Sequence, residues 1–70
     1  MDRIKILDDA LWQTVPPDVI KEAEKSARAE PSWIVRQSNG HIVVVEDGPG
    51  SPDTATGDLS YIAEVAARSA

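Results

Sequence analysis

The chain has no cysteine, no phenylalanine and a single histidine, His41. Without thiols there is no disulfide staple and no thiolate metal site. One histidine rules out a multi-histidine zinc cluster within one chain. Bases are also scarce: seven Lys and Arg against twelve Asp and Glu give a formal net charge of −5. That balance argues against a general nucleic-acid binder, whose affinity rests on clustered cations. It suits a basic protein partner or mimicry of a nucleic-acid backbone, and a plainly solvated acidic surface accounts for it equally well. No membrane-spanning run is present, and the opening MDRIKILDD has acids where a signal peptide would be apolar. A cytoplasmic protein with no membrane association is therefore expected. Seventy residues allow one small domain, 1–70, close to the size below which a core needs reinforcement. Oligomerisation or a binding partner is the remaining common reinforcement.

What is present is organised around Ser32–Glu46, SWIVRQSNGHIVVVE. Two β-branched and aromatic runs flank Asn39-Gly40, a pair suited to a type I′ turn because both central positions must tolerate positive φ. A two-residue loop there predicts Val35 opposite Val44, Ile34 opposite Val45 and Trp33 opposite Glu46. Alternation then puts Ile34, Val45, Val43 and Arg36 on one face and Trp33, Val35, Val44 and Ile42 on the other. Both rows are largely apolar, so each face needs a cover. Helices of the chain can supply one; the other calls for a second element or a second chain, in the simplest case a homodimer.

The flanking segments carry their own signals. Arg3-Ile4-Lys5-Ile6-Leu7 alternates and predicts a short strand, after which Asp8 can cap a helical turn running through Trp12. Pro16-Pro17 with Asp18 open a helix expected at 17–29, with Val19, Ile20, Ala23 and Ala27 as a narrow stripe and Pro31 as its stop. Glu24 and Arg28 are spaced to pair along it. Residues 47–57, DGPGSPDTATG, have the composition of a flexible loop. Leu59, Ile62, Val65 and Ala66 follow at helical spacing after Asp58, which predicts a C-terminal helix over 58–70, packed on the sheet or docked in a partner's groove. The expected fold is α+β, in the order β-α-β-β-α, with a small three-stranded, mostly antiparallel sheet.

Reactive chemistry finds little support. His41 sits beside the turn with no evident partner for general-base work. Ser51 and Ser60 lack the glycine-flanked elbow of a nucleophile. Asp53 and Glu64 have the end-to-end spacing of a calcium loop, but Ala55, Gly57 and Asp58 stand where ligands and the obligatory glycine belong. Gly48-Pro49-Gly50 is interrupted by proline and followed by no base, so it is no phosphate loop. The reading is a non-enzyme with no cofactor and no metal.

Pro31-Ser32-Trp33-Ile34-Val35-Arg36-Gln37, then Asn39-Gly40 and Ile42-Val43-Val44-Val45, together with the opening Met1-x-x-Ile4-x-Ile6 and Ala10, resembles the Phd/YefM group of bacterial antitoxins. The resemblance covers residues 1–46. It implies an N-terminal dimer that binds operator DNA weakly, here through Arg3 and Lys5, and a C-terminal segment, Leu59 to Arg68, that wraps and blocks a toxin. An acidic antitoxin would complement a basic nuclease-type toxin. The expected function is neutralisation of a macromolecular partner by binding. The alternative is a phage-encoded inhibitor of a bacterial defence nuclease, anti-CRISPR-like, with Asp8, Asp9, Glu46 and Asp47 occupying a basic nucleic-acid groove. Trp33, Leu59, Tyr61, Ile62 and Val65 complete the expected partner-binding set.

Overall fold

The computed structural model describes residues 3–46 and 59–68. The elements run β1 (Ile4–Ile6), α1 (Asp9–Trp12), α2 (Pro17–Ser26), β2 (Ser32–Arg36), β3 (Ile42–Val45) and β4 (Ser60–Val65). The four strands form one antiparallel sheet in the order β1-β4-β2-β3. Mixed α+β is therefore correct, but among the described residues the sheet has four strands rather than three. The expected C-terminal helix is β4, a central strand. The flexible loop expected at 47–57, along with Asp47, Asp53 and Ser51, lies outside the described residues.

Local chemistry sets both helices. The carboxylate of Asp8 accepts the Leu11 N–H at 3.0 Å, capping α1 as expected. Pro17 occupies the first position of α2, where a missing N–H costs nothing, and the Pro16 carbonyl accepts from Val19 and Ile20 at 3.1 and 3.4 Å. The helix stops at Ser26, short of the expected residue 29. Ala27 has left helical geometry (φ −83°, ψ 62°), and its carbonyl accepts the Arg68 N–H at 2.8 Å. The helix therefore ends on a tertiary contact before Pro31 can act.

The hairpin is present with a different turn. Observed partners are Trp33–Val45, Ile34–Val44, Val35–Val43 and Arg36–Ile42, so the loop holds three residues, Ser38 to Gly40. Gly40 takes φ +91° and is the one described residue identified with positive φ, so Asn39 does not adopt type I′ geometry. Instead the Asn39 Oδ1 accepts the His41 N–H at 2.9 Å, an Asx turn, and the Gln37 carbonyl accepts the Gly40 N–H at 2.9 Å. A type I turn closed by a left-handed glycine suits this loop length. The one-residue slip exchanges the faces of β3. Ile42 and Val44 join Ile34 on one side, and Val43 and Val45 join Trp33 and Val35 on the other.

A second irregularity sits in β4. Ile34 pairs with Ala63 but Val35 pairs with Tyr61, which leaves Ile62 as the extra residue of a β-bulge. The Ile62 carbonyl accepts from both Leu7 N–H (2.8 Å) and Asp8 N–H (3.1 Å), so the bulge ties the strand to the start of α1. Ile62, Ala63 and Val65 consequently all enter the core under the helices, with Val15, Ala23, Ala27 and Ile34; Leu11, Trp12, Val19 and Ile20 pack at its margin. Ala23 within α2 and Ala27 at its C-cap are fully buried, so these small side chains lie in the core against the sheet.

Ser32 is also fully buried in this layer, and its hydroxyl has no hydrogen-bond partner among the described residues. An unsatisfied buried hydroxyl costs about 1–3 kcal/mol. Ser32→Ala is expected to stabilise the fold by about 1 kcal/mol, read as a higher urea midpoint at unchanged slope.

Candidate functional site

The sheet has two unlike faces. α1 and α2 both contribute to the cluster that contains Ile34, Ala63 and Val65, so both lie on one side. Alternation places Lys5, Trp33, Val35, Val43, Val45, Tyr61 and Glu64 on the other. No helix among the described residues lies against that second face. Val35 is nonetheless fully buried. Val43 and Tyr61 are its direct cross-strand neighbours and Trp33 follows at the next position on its own strand. Trp33 and Tyr61 meet edge to face, with ring centroids 5.7 Å apart and planes at 90°. This geometry favours the ring quadrupoles and holds both rings as one plate. The Tyr61 hydroxyl is buried with no partner among the described residues.

The bulge at Ile62 creates this plate. In a regular strand, Tyr61, Ala63 and Val65 would share a face. The extra residue reverses the parity, so Ala63 and Val65 stay in the core while Tyr61 turns out beside Trp33. At the margin, Lys5 pairs with Glu64 across β1 and β4, so charges of both signs border the apolar strip.

The expected site residues separate into distinct places. Trp33 and Tyr61 are brought together. Ile62 and Val65 are fully buried core residues with no surface to offer a partner. Leu59 is half-buried just before β4. Asp8 is spent as a helix cap, while Asp9 is exposed beside it. Asp8 and Asp9 follow the edge strand β1, whereas exposed Glu46 follows the opposite edge strand β3, so these three acids do not converge. Asp47 lies outside the described residues.

Of the two bases expected at nucleic acid, Arg3 is a brace. Its Nη2 donates to the Ala66 carbonyl at 2.8 Å and reaches the Ala27 carbonyl at 3.5 Å, and its Nη1 stands 4.0 Å from Glu24. A cation at the C-terminal end of α2 complements the helix dipole. Glu24 therefore meets Arg3, not Arg28 as its spacing suggested. Lys5 is exposed on the second face.

No other described feature competes as a site. A groove of about 310 Å³ lies along Asp18, Lys21, Glu22 and Lys25, but these are charged side chains on the outer turns of α2. No group of three His, Cys, Asp or Glu side chains among the described residues is arranged to hold a metal ion. His41 is exposed beside the turn. No helix of the described residues is long and apolar enough to cross a membrane.

Sequence reasoning found Trp33 and Tyr61 singly but missed that Val43 and Val45 share their face. The hairpin register decides that point, and it followed the wrong turn type. Comparison with known proteins adds no further assignment: no family model, no curated protein and no solved structure matches this chain.

Proposed function

We propose that this chain acts without catalysis, neutralising a macromolecular partner by binding it, as a toxin-neutralising antitoxin does. The observation that supports this reading is the sheet face bearing Trp33, Tyr61, Val43 and Val45, which no described helix covers. Paired aromatics over a rigid sheet supply large contact area at low side-chain entropy, the usual composition of a binding centre. The net charge of −5 favours a basic partner, with electrostatics speeding encounter and the aromatic plate supplying contact. Contact through this face replaces the wrapping C-terminal tail that the Phd/YefM resemblance implied, since β4 pairs on both sides within the sheet. Operator-DNA binding through Arg3 is not part of this proposal, because its guanidinium is engaged by backbone carbonyls.

The test is co-expression in bacteria with the product of the adjacent gene. The neighbour alone should arrest growth and the chain should relieve the arrest. Val45→Lys and Trp33→Ser, checked for retained fold by circular dichroism, should each lose that relief. Failure of the wild-type chain to relieve any arrest overturns the antitoxin reading, and relief that survives both folded variants overturns the role of this face.

A further inference from the structure

β3 is an edge strand, bonded to β2 on one side. Natural edges are usually blunted by charge, proline, a bulge or shortness. The opposite edge, β1, follows that rule: it has three residues and carries Lys5. β3 does not. It is Ile-Val-Val-Val, with no charge, no proline and no register shift against β2.

The backbone direction of this edge follows from the turn. The Gln37 N–H donates to the His41 carbonyl at 2.8 Å, which makes Gln37–His41 a hydrogen-bonded pair. Alternation along an antiparallel ladder then turns the peptide groups of Val43 and Val45 toward β2 and those of Ile42 and Val44 outward. Among the described residues nothing bonds to these outward groups.

We propose that β3 is a homodimerisation edge: a second copy of this chain pairs with it, antiparallel, about a two-fold axis at Val44. The two four-stranded sheets then become one continuous sheet. Val44 opposes its own copy, Val43 opposes Val45, and Ile42 opposes Glu46. The occupant is a second copy for three reasons. The edge is self-complementary, because the outward N–H and C=O of Val44 meet the same two groups across the axis. A chain of net charge −5 repels its copy, whereas Ile42–Val45 carries no ionisable side chain and the two Glu46 residues stand at opposite ends of the paired ladder, each across from Ile42. Finally, Val43 and Val45 share the face of Trp33 and Tyr61, so pairing joins two apolar strips side by side and adds buried area to a chain near the lower size limit. The proposal is independent of the partner-neutralising role and survives its failure.

Sedimentation of the full chain from micromolar to millimolar concentration tests this. The expected mass doubles with concentration. Val44→Pro should remain monomeric, because its outward N–H bonds to none of the described residues and proline is tolerated at such a position. Losing the two central bonds and adding the ring should raise the dissociation constant by at least about a hundredfold. Should Val44→Pro fail to fold, hydrogen exchange on the unaltered chain decides. The Ile42 and Val44 amides should gain protection as concentration rises, while Val43 and Val45 are protected throughout. A monomer at every concentration overturns the proposal. So does a dimer whose Ile42 and Val44 amides stay unprotected, or a folded Val44→Pro variant that still dimerises.

Discussion

Ending the chain after residue 58 should abolish cooperative folding. The lost segment contains β4, which lies between β1 and β2 and is the partner of both. Without it β1 has no strand to pair with, and the remaining β2–β3 hairpin is marginal alone. The core loses Ile62, Ala63 and Val65, all fully buried. Burying one Val or Ile side chain contributes about 1.5–3 kcal/mol, so two of them already match the roughly 3–5 kcal/mol that a core of this size supplies. Arg3 loses its bond to the Ala66 carbonyl, and the Ala27 carbonyl loses the Arg68 N–H. Urea unfolding of the truncated chain, followed by circular dichroism, should show no sigmoidal transition. A cooperative transition would mean that the terminal segment is an appendage, as a helix over 58–70 docked only in a partner's groove would have been.

That reading failed for a definable reason, and the contrast with α2 and the hairpin shows what a sequence records. Pro16-Pro17, Asp18 and the Asp8 cap are local signals acting through neighbouring backbone, and each appears in the structure as expected. The hairpin's existence is equally local. Its register is not, because Asn39-Gly40 supports two loop lengths and the choice falls to the Asn39 side-chain bond and to which β3 residues the helices bury. β4 carried a misleading signal. Its bulge sends Ile62, Ala63 and Val65 inward, which erases the period of two and leaves Leu59, Ile62, Val65 and Ala66 at helical spacing. Strand length and the Tyr-Ile-Ala-Glu-Val composition were the available counter-signals, and they are weak beside a four-residue stripe. The candidate site inherits the same limit: Trp33 and Tyr61 attract notice as isolated aromatics, but their meeting depends on a bulge that becomes visible with the ladder.

The two faces can be weighed against each other at adjacent residues. Ile34 and Val35 are both fully buried and stand on opposite sides of β2. Ile34 belongs to the core under the helices, so Ile34→Ala should cost about 2–5 kcal/mol, through lost transfer energy and a cavity that the small side chains of Ala23 and Ala27 cannot fill. Val35 is outside that cluster and lies among Trp33, Val43 and Tyr61 on the face without a described helix. If that face were only solvated surface, Val35→Ala would cost a few tenths of a kcal/mol, as surface substitutions do. Because Val35 is fully buried, the expected cost is about 2 kcal/mol, the two lost methyl groups each counting about 0.8 with a cavity contribution added. Urea midpoints of the two variants make the comparison, and retention of the Trp33 fluorescence maximum in a Trp12→Phe background checks that the plate survives Val35→Ala. A large loss at Ile34 with no loss at Val35 would leave the second face without an apolar centre, and with it the physical basis for a partner docking there.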